Sequence, residues 1–412
     1  MPASRYAPTA LLIPQGAAPF AARLVAGRAL RAFVDGFVAV LLPAYLLALG
    51  FDVWTVGVLG TATLLGSALA TLAVGVWGHR FAQRRLLIAA ALLMAATGLG
   101  FAGLSQFWPL LVVAFVGTLN PSSGDVSVFL PLEHAQLAGA AQGDARTRLF
   151  ARYSLLAALA ASFGALAAAV PAWLASRAGV ELLTALRLMF VGYAAVGLVL
   201  LRLYRRLPEP HAEPGRGRGT LGPSRGIVFK LAALFSLDAF AGGLIVNSLM
   251  SLWLMQRFGL SLAATGTFFF WTGLLAALSM LAAPWVARRI GLLNTMVFTH
   301  IPANLALVGA AFAPGLPLAL ALLLFRALLM QMDVPTRTAY VMSVVTPAER
   351  AAASSVTAVP RSLAAALSPS LAGAMFAAGW LAAPLAACGV LKLAYDLSLW
   401  AACRKHKLAE PS

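Results

Sequence analysis

Long apolar runs constrain this chain more than any other feature of its sequence. Of its 412 residues, 61% are hydrophobic and 10% are charged, whereas a soluble domain carries about 25% charged residues. A soluble fold of this length would need a polar surface, and the sequence lacks the residues to form one. The strands of a membrane β-barrel would alternate polar and apolar residues, and unbroken apolar runs do not. The composition therefore excludes a soluble enzyme, a disordered protein and a fibrous protein, and it favours a membrane protein with several helices.

Twelve apolar segments follow one another along the chain, and each is close to the 20 or so residues that a membrane-spanning helix needs. They cover residues 26–49, 55–77, 86–104, 108–130, 150–174, 186–204, 227–253, 262–284, 293–313, 316–341, 353–376 and 379–401. One long polar stretch, residues 205–225, separates the first six from the last six. Its prolines and its Gly-Arg-Gly-Arg-Gly run are typical of a flexible linker.

We therefore predict an all-α integral membrane protein of twelve helices in two six-helix bundles. The predicted divisions are a cytoplasmic N-terminal tail (1–22), a first bundle (23–204), a cytoplasmic linker (205–226), a second bundle (227–402) and a cytoplasmic tail (403–412).

The positions of the basic residues predict the orientation. Every second loop is basic, whereas the alternate loops carry only Arg177, Arg187 and Arg257. Because Lys and Arg accumulate in cytoplasmic loops, both termini are expected on the cytoplasmic side. The same distribution explains the net charge of +17 without a nucleic-acid partner.

The sequence contains no motif for catalysis or for a cofactor. It has no Gly-x-x-x-x-Gly-Lys-Ser/Thr stretch to hold ATP, and its five histidines are not spaced as metal ligands. We expect neither enzymatic activity nor a cofactor or metal.

An internal repeat relates the two halves at a fixed offset of 209 residues. The matching pairs are Gly50 with Gly259, Gly57 with Gly266, Arg80 with Arg289, Arg152 with Arg361, and Gly164 with Gly373. Two six-helix halves that enter the membrane in the same direction form parallel repeats about an axis along the membrane normal. This arrangement is typical of a transporter.

The loop between the second and third segments carries a recognisable pattern. It reads Gly75-Val76-Trp77-Gly78-His79-Arg80-Phe81-Ala82-Gln83-Arg84-Arg85. With the twelve segments and the repeat, this loop resembles that of the major facilitator superfamily. Gly75, Arg80, Arg84 and Arg85 match the family pattern, whereas His79 replaces its Asp and Ala82 replaces its Gly.

The resemblance implies a location and a mechanism. The start of the first helix, residues 28–36, and the Leu-Pro-Ala-Tyr-Leu stretch at 42–46 are similar to bacterial members. We therefore expect a multi-pass protein of the bacterial inner membrane, acting as a monomer. The arginine in helix 4 and the Gly-Pro pair in helix 5 that mark proton-coupled drug antiporters of the family are missing. A multidrug antiporter of that type is not expected.

The resemblance also implies that helices 1, 4, 7 and 10 line a central cavity. Each of these helices carries one acid: Asp35, Asp125, Asp238 and Asp333. Ionisable residues inside a membrane cost about 2.5–3.5 kcal/mol each on insertion scales and are functional candidates. We predict that Asp238 and Asp35 serve proton coupling or face the solute.

Other polar residues of these helices could also face the cavity. Arg326 either partners Asp333, seven residues further on, or binds an anionic group of the solute. Asn120 and Asn247 add neutral polar groups.

Helix breakers occur in the same four helices, at Pro43, Pro121, Gly242-Gly243 and Pro335. Proline removes a backbone hydrogen bond, and irregular backbone at membrane depth is tolerated only inside protein or beside water. The breakers therefore support these helices as the moving, cavity-lining set.

Two further acid–base pairs have equivalent positions in the halves. Asp125 precedes Arg152 by 27 residues, and Asp333 precedes Arg361 by 28 residues. Each pair could form a gate near the cytoplasmic mouth, a static structural pair or a contact to the solute.

These patterns together predict a secondary active transporter of a small solute, driven by protons and working as an exporter, with the lipid bilayer as its other partner. Two alternatives stay open: an uncoupled facilitator or uptake permease, and a membrane sensor on the same fold that transports nothing.

Overall fold

The computed structural model describes residues 12–122, 127–209, 222–346 and 349–404. Within these ranges the regular structure is helical. The helices are α1 (Ala21–Ala48), α2 (Val53–Trp77), α3 (Gln83–Gly103), α4 (Phe107–Val116), α5 (Phe129–Ala140), α6 (Gly143–Leu166), α7 (Val170–Ala178), α8 (Leu182–Arg205), α9 (Arg225–Gly243), α10 (Asn247–Phe258), α11 (Leu262–Ile290), α12 (Leu292–Ala311), α13 (Leu316–Met330), α14 (Asp333–Val344), α15 (Arg350–Ala377) and α16 (Ala383–Cys403). Short 3-10 turns cover Gly78–Arg80 and Ala167–Ala169.

Ten helical stretches among the described residues are long and apolar enough to cross a membrane. Three of them join two helices each: α6 with α7, α9 with α10, and α13 with α14. The other two predicted crossings correspond to the broken pair α4 and α5 and to α15. The fold is that of an all-α membrane protein, as predicted.

Three of the four predicted helix breakers coincide with breaks in a crossing. Pro121 lies between α4 and α5, Gly243 ends α9, and Pro335 lies in the first turn of α14. Pro43 differs, because α1 continues past it to Ala48. Most of the α1 residues around Pro43 are buried against neighbouring helices, and such neighbours can maintain a helix across a proline.

The breaks in the fourth and seventh crossings meet each other. The backbone amide of Ser248, at the start of α10, donates a hydrogen bond of 3.0 Å to the carbonyl oxygen of Pro121. This bond joins irregular backbone of one half to the other half, and it satisfies polar groups that a regular helix would have paired internally.

The two halves repeat the same helix pairing. In the first half α1 packs on α6, and α3 packs on α8. In the second half α9 packs on α15, and α12 packs on α16. These are equivalent helices in the two sets of six, as a parallel duplication requires.

Two glycine contacts join the halves. A side chain at Gly57 in α2 would place its Cβ 2.9 Å from the Cα of Gly373 in α15. The repeat offset carries this pair onto Gly266 in α11 and Gly164 in α6, and Gly266 indeed lies against the backbone of Ala165. Small residues let membrane helices approach closely, and here they let the halves touch backbone to backbone. We call these two contacts the glycine seam.

The glycine seam lies at the end of the molecule opposite to the chain termini, because α1 starts at the terminal end and α2 starts at the other end. Two hydrogen bonds between the halves lie in the same region. The Ser251 hydroxyl donates to the Val40 carbonyl oxygen (3.0 Å), and the Ser370 amide donates to the Thr61 hydroxyl (2.9 Å). The halves are therefore joined at the end away from the termini.

Candidate functional site

A cavity of about 430 Å³ lies between the two halves. Helices α1 and α6 of the first half form part of its wall, and α10, α11 and α13 of the second half form most of the rest. Polar and charged side chains that reach it include Arg28, Asp35, His134, Asn247, Arg326 and Gln331. This volume is in the range of pockets that hold small organic ligands.

Asp35 is held at the cavity wall by close packing of α1. A side chain at the next residue, Gly36, would meet the backbone of Ala161 in α6, and one at Gly164 would meet the backbone of Phe33. The two helices therefore touch directly, and Asp35 is only 3% exposed. Among the residues described, it is the only acid that lines the cavity. Arg31 lies one turn before it on the same face of the helix.

Arg326 lines the opposite wall of the cavity, on α13. Its side chain makes no hydrogen bond or ion pair within the described residues, and its buried Nε has no partner. One of the two predictions for Arg326, a partnership with Asp333, is wrong in this structure. Arg337 lies one turn along α14 from Asp333 and forms the ion pair instead.

Asn247 lines the cavity. Asn120 is buried in the break between α4 and α5, one residue before Pro121. Its side-chain oxygen accepts a 2.7 Å hydrogen bond from the hydroxyl of Ser122, which does reach the cavity. Asn247 thus belongs to the cavity wall, and Asn120 belongs to the layer of residues behind it.

Asp238 does not line the cavity; it lies in a buried ion-pair cluster within the second half. Its carboxylate forms an ion pair with Lys392 of α16, and its other oxygen lies 3.5 Å from Nη1 of Arg337. No basic residue lies within two turns of Asp238 on its own helix. Helix packing supplies two partners from elsewhere in the sequence.

A second buried contact lies beside this cluster. His300 of α12 places its Nδ1 2.9 Å from one oxygen of Asp396 in α16, and Asn304 donates a 3.0 Å hydrogen bond to the other. His300 and Asp396 are both almost fully buried. This arrangement gives His300 a structural role in the packing of α12 against α16.

The first half contains its own buried charge cluster, around Glu133 of α5. Arg31 of α1 contacts both carboxylate oxygens, at 2.9 and 2.7 Å. The hydroxyls of Tyr153 and Tyr204 also donate to this carboxylate. The guanidinium of Arg31 lies over the ring of Phe129, 4.3 Å from its centroid. Every polar atom of the Glu133 carboxylate therefore has a partner, as a buried charge requires.

The two clusters lie on equivalent helices of the two halves but are opposite in sign. In the first half the first helix carries the cation, Arg31, and the fourth crossing carries the acid, Glu133. In the second half the equivalent helix carries the acid, Asp238, and the equivalent crossing carries the cation, Arg337. Each half therefore has an ion pair between equivalent helices, but neither the residue types nor the exact positions of its members follow the 209-residue repeat.

The structure describes three of the four predicted gate residues. Asp125 lies outside the described residues, and Arg152 is partly buried on α6. Asp333 is buried beside Arg337, and among the described contacts no ion pair joins it to Arg361. Asp333 pairs with Arg337 because the two residues are four apart in one helix and are therefore neighbours.

The residues of the loop motif form the corner between α2 and α3. Gly75 is near the end of α2, and His79 and Arg80 are in the 3-10 turn Gly78–Arg80. Arg84 forms an ion pair of 2.7 Å with Glu209, just beyond α8, whereas Arg85 is exposed. The motif thus joins this corner to the beginning of the linker.

Sequence reasoning missed four charged residues of the buried clusters: Glu133, Arg337, Lys392 and Asp396. Lys392 and Asp396 were visible as charges inside the last apolar segment. Glu133 fell just outside a predicted segment that ended at residue 130, because the break at Pro121 displaces the second part of that crossing.

Comparison with known proteins agrees with this architecture. The Major Facilitator Superfamily pattern matches residues 24–369. An uncharacterized membrane protein of Saccharomyces cerevisiae, YJR124C, is 24% identical over 354 residues, which cover 77% of this chain and 79% of the yeast protein.

Solved structures show the same fold. The crystal structure of the nucleoside transporter NupG has a TM-score of 0.70 at 15% identity, covering 94% of this chain and 100% of that one. The D-xylose-proton symporter has a TM-score of 0.72 at 16% identity, covering 92% and 97%. At this identity the likeness concerns the fold alone.

Proposed function

The chain belongs to the Major Facilitator Superfamily and is a transporter of a small solute, and we propose that it works by alternating access driven by a proton gradient. The observation that carries this proposal is the cavity between two halves that touch through a glycine seam at one end. Rocking of two repeats around a fixed central site is the expected motion of such a fold. In this structure the seam is closed at the end away from the termini.

We propose Asp35 as the coupling residue in preference to Asp238. Asp35 reaches the cavity, where its exposure to water changes when the halves move, whereas Asp238 is neutralised inside one half by Lys392 and Arg337. A proton-coupling carboxylate must gain and lose its proton as the cavity changes sides.

The gate proposal takes a specific form in the second half. Asp333 pairs with Arg337 in this state, and it would change to Arg361 in the other state as α15 moves against α14. In the first half, Asp125 and Arg152 would form the equivalent ion pair in that other state. Bistable ion pairs of this kind are a known means of switching.

We propose export as the direction, because the sequence has no sugar-transporter signature. Uptake is the second candidate, since the described residues that line the cavity include two arginines and one acid. An anionic solute would repel an ionised Asp35, so it would bind together with the proton and move with it down an inward proton gradient.

For the location we propose the cytoplasmic membrane of a bacterium with both termini inside. Single cysteines at residues 15, 215 and 408 should react with a membrane-impermeant reagent only from the cytoplasmic side. Reaction of residue 215 from the outside would reverse the orientation.

Transport is tested in proteoliposomes with an imposed pH gradient. Counterflow of labelled solutes identifies the substrate, and accumulation against a gradient shows proton coupling and its direction. Counterflow without accumulation would identify a facilitator. If a broad set of solutes shows no counterflow, the sensor alternative would replace transport.

A further inference from the structure

Among the described residues, two arginines and one acid line the cavity, and the formal charge of this part of the wall is positive. Arg28 and Arg326 lie on opposite halves, and Asp35 is the only acidic lining residue among those described. With His134 neutral, the formal charge of these groups is positive. The excess suggests an anionic ligand.

Arg326 is the residue that most needs an explanation. It is the eleventh residue of α13, about 15 Å from the start of that helix, where the hydrocarbon core of a membrane is about 30 Å thick. Arginine at helix ends can reach the membrane surface, but at this depth the side chain cannot. A cation near the midplane is expensive and normally has a partner. Within the described residues, Arg326 has neither an ion pair nor a hydrogen bond.

The buried clusters show how three other buried cations of this chain are paired. Arg31, Arg337 and Lys392 each contact a carboxylate of another residue. Arg326 departs from this rule, and it is the one of these four that lines the cavity. An anion that binds from solution would give Arg326 the kind of partner that the other three cations have.

We propose that Arg326 binds the anionic group of an organic solute, so that the transported substrate is an amphipathic organic anion. This inference rests on the proposed transport function, but not on its direction or its coupling ion. A planar guanidinium can bind a carboxylate or phosphate through two parallel hydrogen bonds.

The rest of the wall favours an organic anion over an inorganic one. Apolar side chains line the cavity around Arg326, among them Met250, Phe268, Met280 and Met330. Aromatic rings and methionines accommodate apolar bodies of variable shape. The cavity, at about 430 Å³, is of a size that holds small organic ligands. The expected ligand therefore has one anionic group and an apolar body.

The test compares anions with neutral analogues of the same shape. The pairs are benzoate with benzamide and 2-naphthoate with 2-naphthamide, and binding to the full chain in detergent is measured by calorimetry. For wild type we expect at least one anion to bind tenfold or more tightly than its amide, because hydrogen bonds to charged groups are stronger than neutral ones.

Three variants locate the preference. Arg326→Gln should abolish it, Arg326→Lys should keep part of it, and Arg177→Gln, an exposed arginine on α7, should keep all of it. Absence of any anion preference in wild type, or its survival in Arg326→Gln, would overturn the proposal.

The melting temperature without ligand separates binding from a structural role. If Arg326 has no partner in the empty protein, Arg326→Gln should melt at the wild-type temperature or above it. A melting temperature several degrees lower would show that the protein itself stabilises the charge, and would also overturn the proposal.

These measurements distinguish a failure of the anion site from a failure of the transport proposal. If the anion preference depends on Arg326 and yet no solute crosses proteoliposomes, transport fails and the anion site stands. If anionic solutes are transported equally well by wild type and Arg326→Gln, the anion site fails and transport stands.

Discussion

Lys392 and Asp238 form a buried ion pair between α16 and α9, although 154 residues separate them in the sequence. Both side chains are only 4% exposed. Arg337 approaches the same carboxylate from a third helix. The pair therefore joins the first and last helices of the second half, and it is a part of the packing of that half rather than of the cavity.

Lys392→Met should destabilise the protein more than a typical substitution. Breaking a buried pair by removing one partner costs about 3–5 kcal/mol in soluble proteins, and Arg337, 3.5 Å from the Asp238 carboxylate, would compensate for only part of this loss. Thermal unfolding in detergent measures the effect. The double variant Lys392→Met with Asp238→Asn should recover part of the loss, since an asparagine side chain carries no charge. A double variant less stable than Lys392→Met alone would contradict the pairing.

Asp35→Asn should separate exchange from accumulation. The variant mimics a permanently protonated carboxylate, so the solute can still exchange but no proton can be released. In proteoliposomes we expect counterflow near the wild-type rate and loss of accumulation driven by a pH gradient. Full accumulation would remove Asp35 as the coupling residue. The matched control is Asp144→Asn, an exposed acid that pairs with Arg148 on the surface of α6.

Gly57→Val should force the glycine seam apart. A Cβ at this position meets backbone of α15, which no side-chain rotation can relieve. We expect a shift towards the state that is open at the end away from the termini, with faster reaction of a cysteine placed at Thr61 with a reagent added on that side. Gly192→Val in α8 is the control, because a Cβ there meets nothing within 4 Å. Equal labelling in the two variants would contradict the role of the seam.

Glu349 provides a pH-dependent contact outside the membrane-spanning segments. Its carboxylate accepts hydrogen bonds from the hydroxyls of Ser224 (2.5 Å) and Thr346 (2.7 Å), and from the amide of Gly222. These bonds favour the charged form and lower the pKa of Glu349 to about 2. An unfolded glutamate has a pKa of about 4.3. The stabilisation is therefore complete above about pH 4.3 and is lost as the pH falls towards 2.

Comparison of wild type with Glu349→Gln checks this prediction. The melting temperatures should differ at pH 7 and converge as the pH is lowered from about 4.5 to about 2.5. A difference that stays constant over this interval would show that the charge of Glu349 does not contribute.

The fold was largely predictable because a membrane imposes a simple rule on sequence. Crossings need long apolar runs, so their number and order could be counted, and Pro121, Gly243 and Pro335 marked breaks that the structure has. Pro43 did not break α1, because contacts with other helices decide whether a proline interrupts a buried helix.

The side-chain pairing was less predictable than the crossings. Spacing along the chain suggested Arg361 for Asp333, but Arg337 lies one turn away. Lys392 reaches Asp238 only because α9 and α16 are each rotated about their axes so that these two side chains face each other. The rotation of a helix about its axis depends on all of its contacts with other helices. These contacts cannot be read from a single sequence. Arg326 and Asp35 were identifiable because a charge deep in an apolar segment requires an explanation wherever the helix faces.

The hydrogen bond between Ser248 and Pro121 bears on how such a protein can evolve. Both of its atoms belong to the main chain, so no side-chain replacement removes the donor except proline at position 248. Substitutions around the bond can therefore alter the size and charge of side chains while the backbone hydrogen bond between the halves is retained. Selection for a new solute could act on positions such as Asn247 and Arg326 without rebuilding the part of the scaffold that carries the motion.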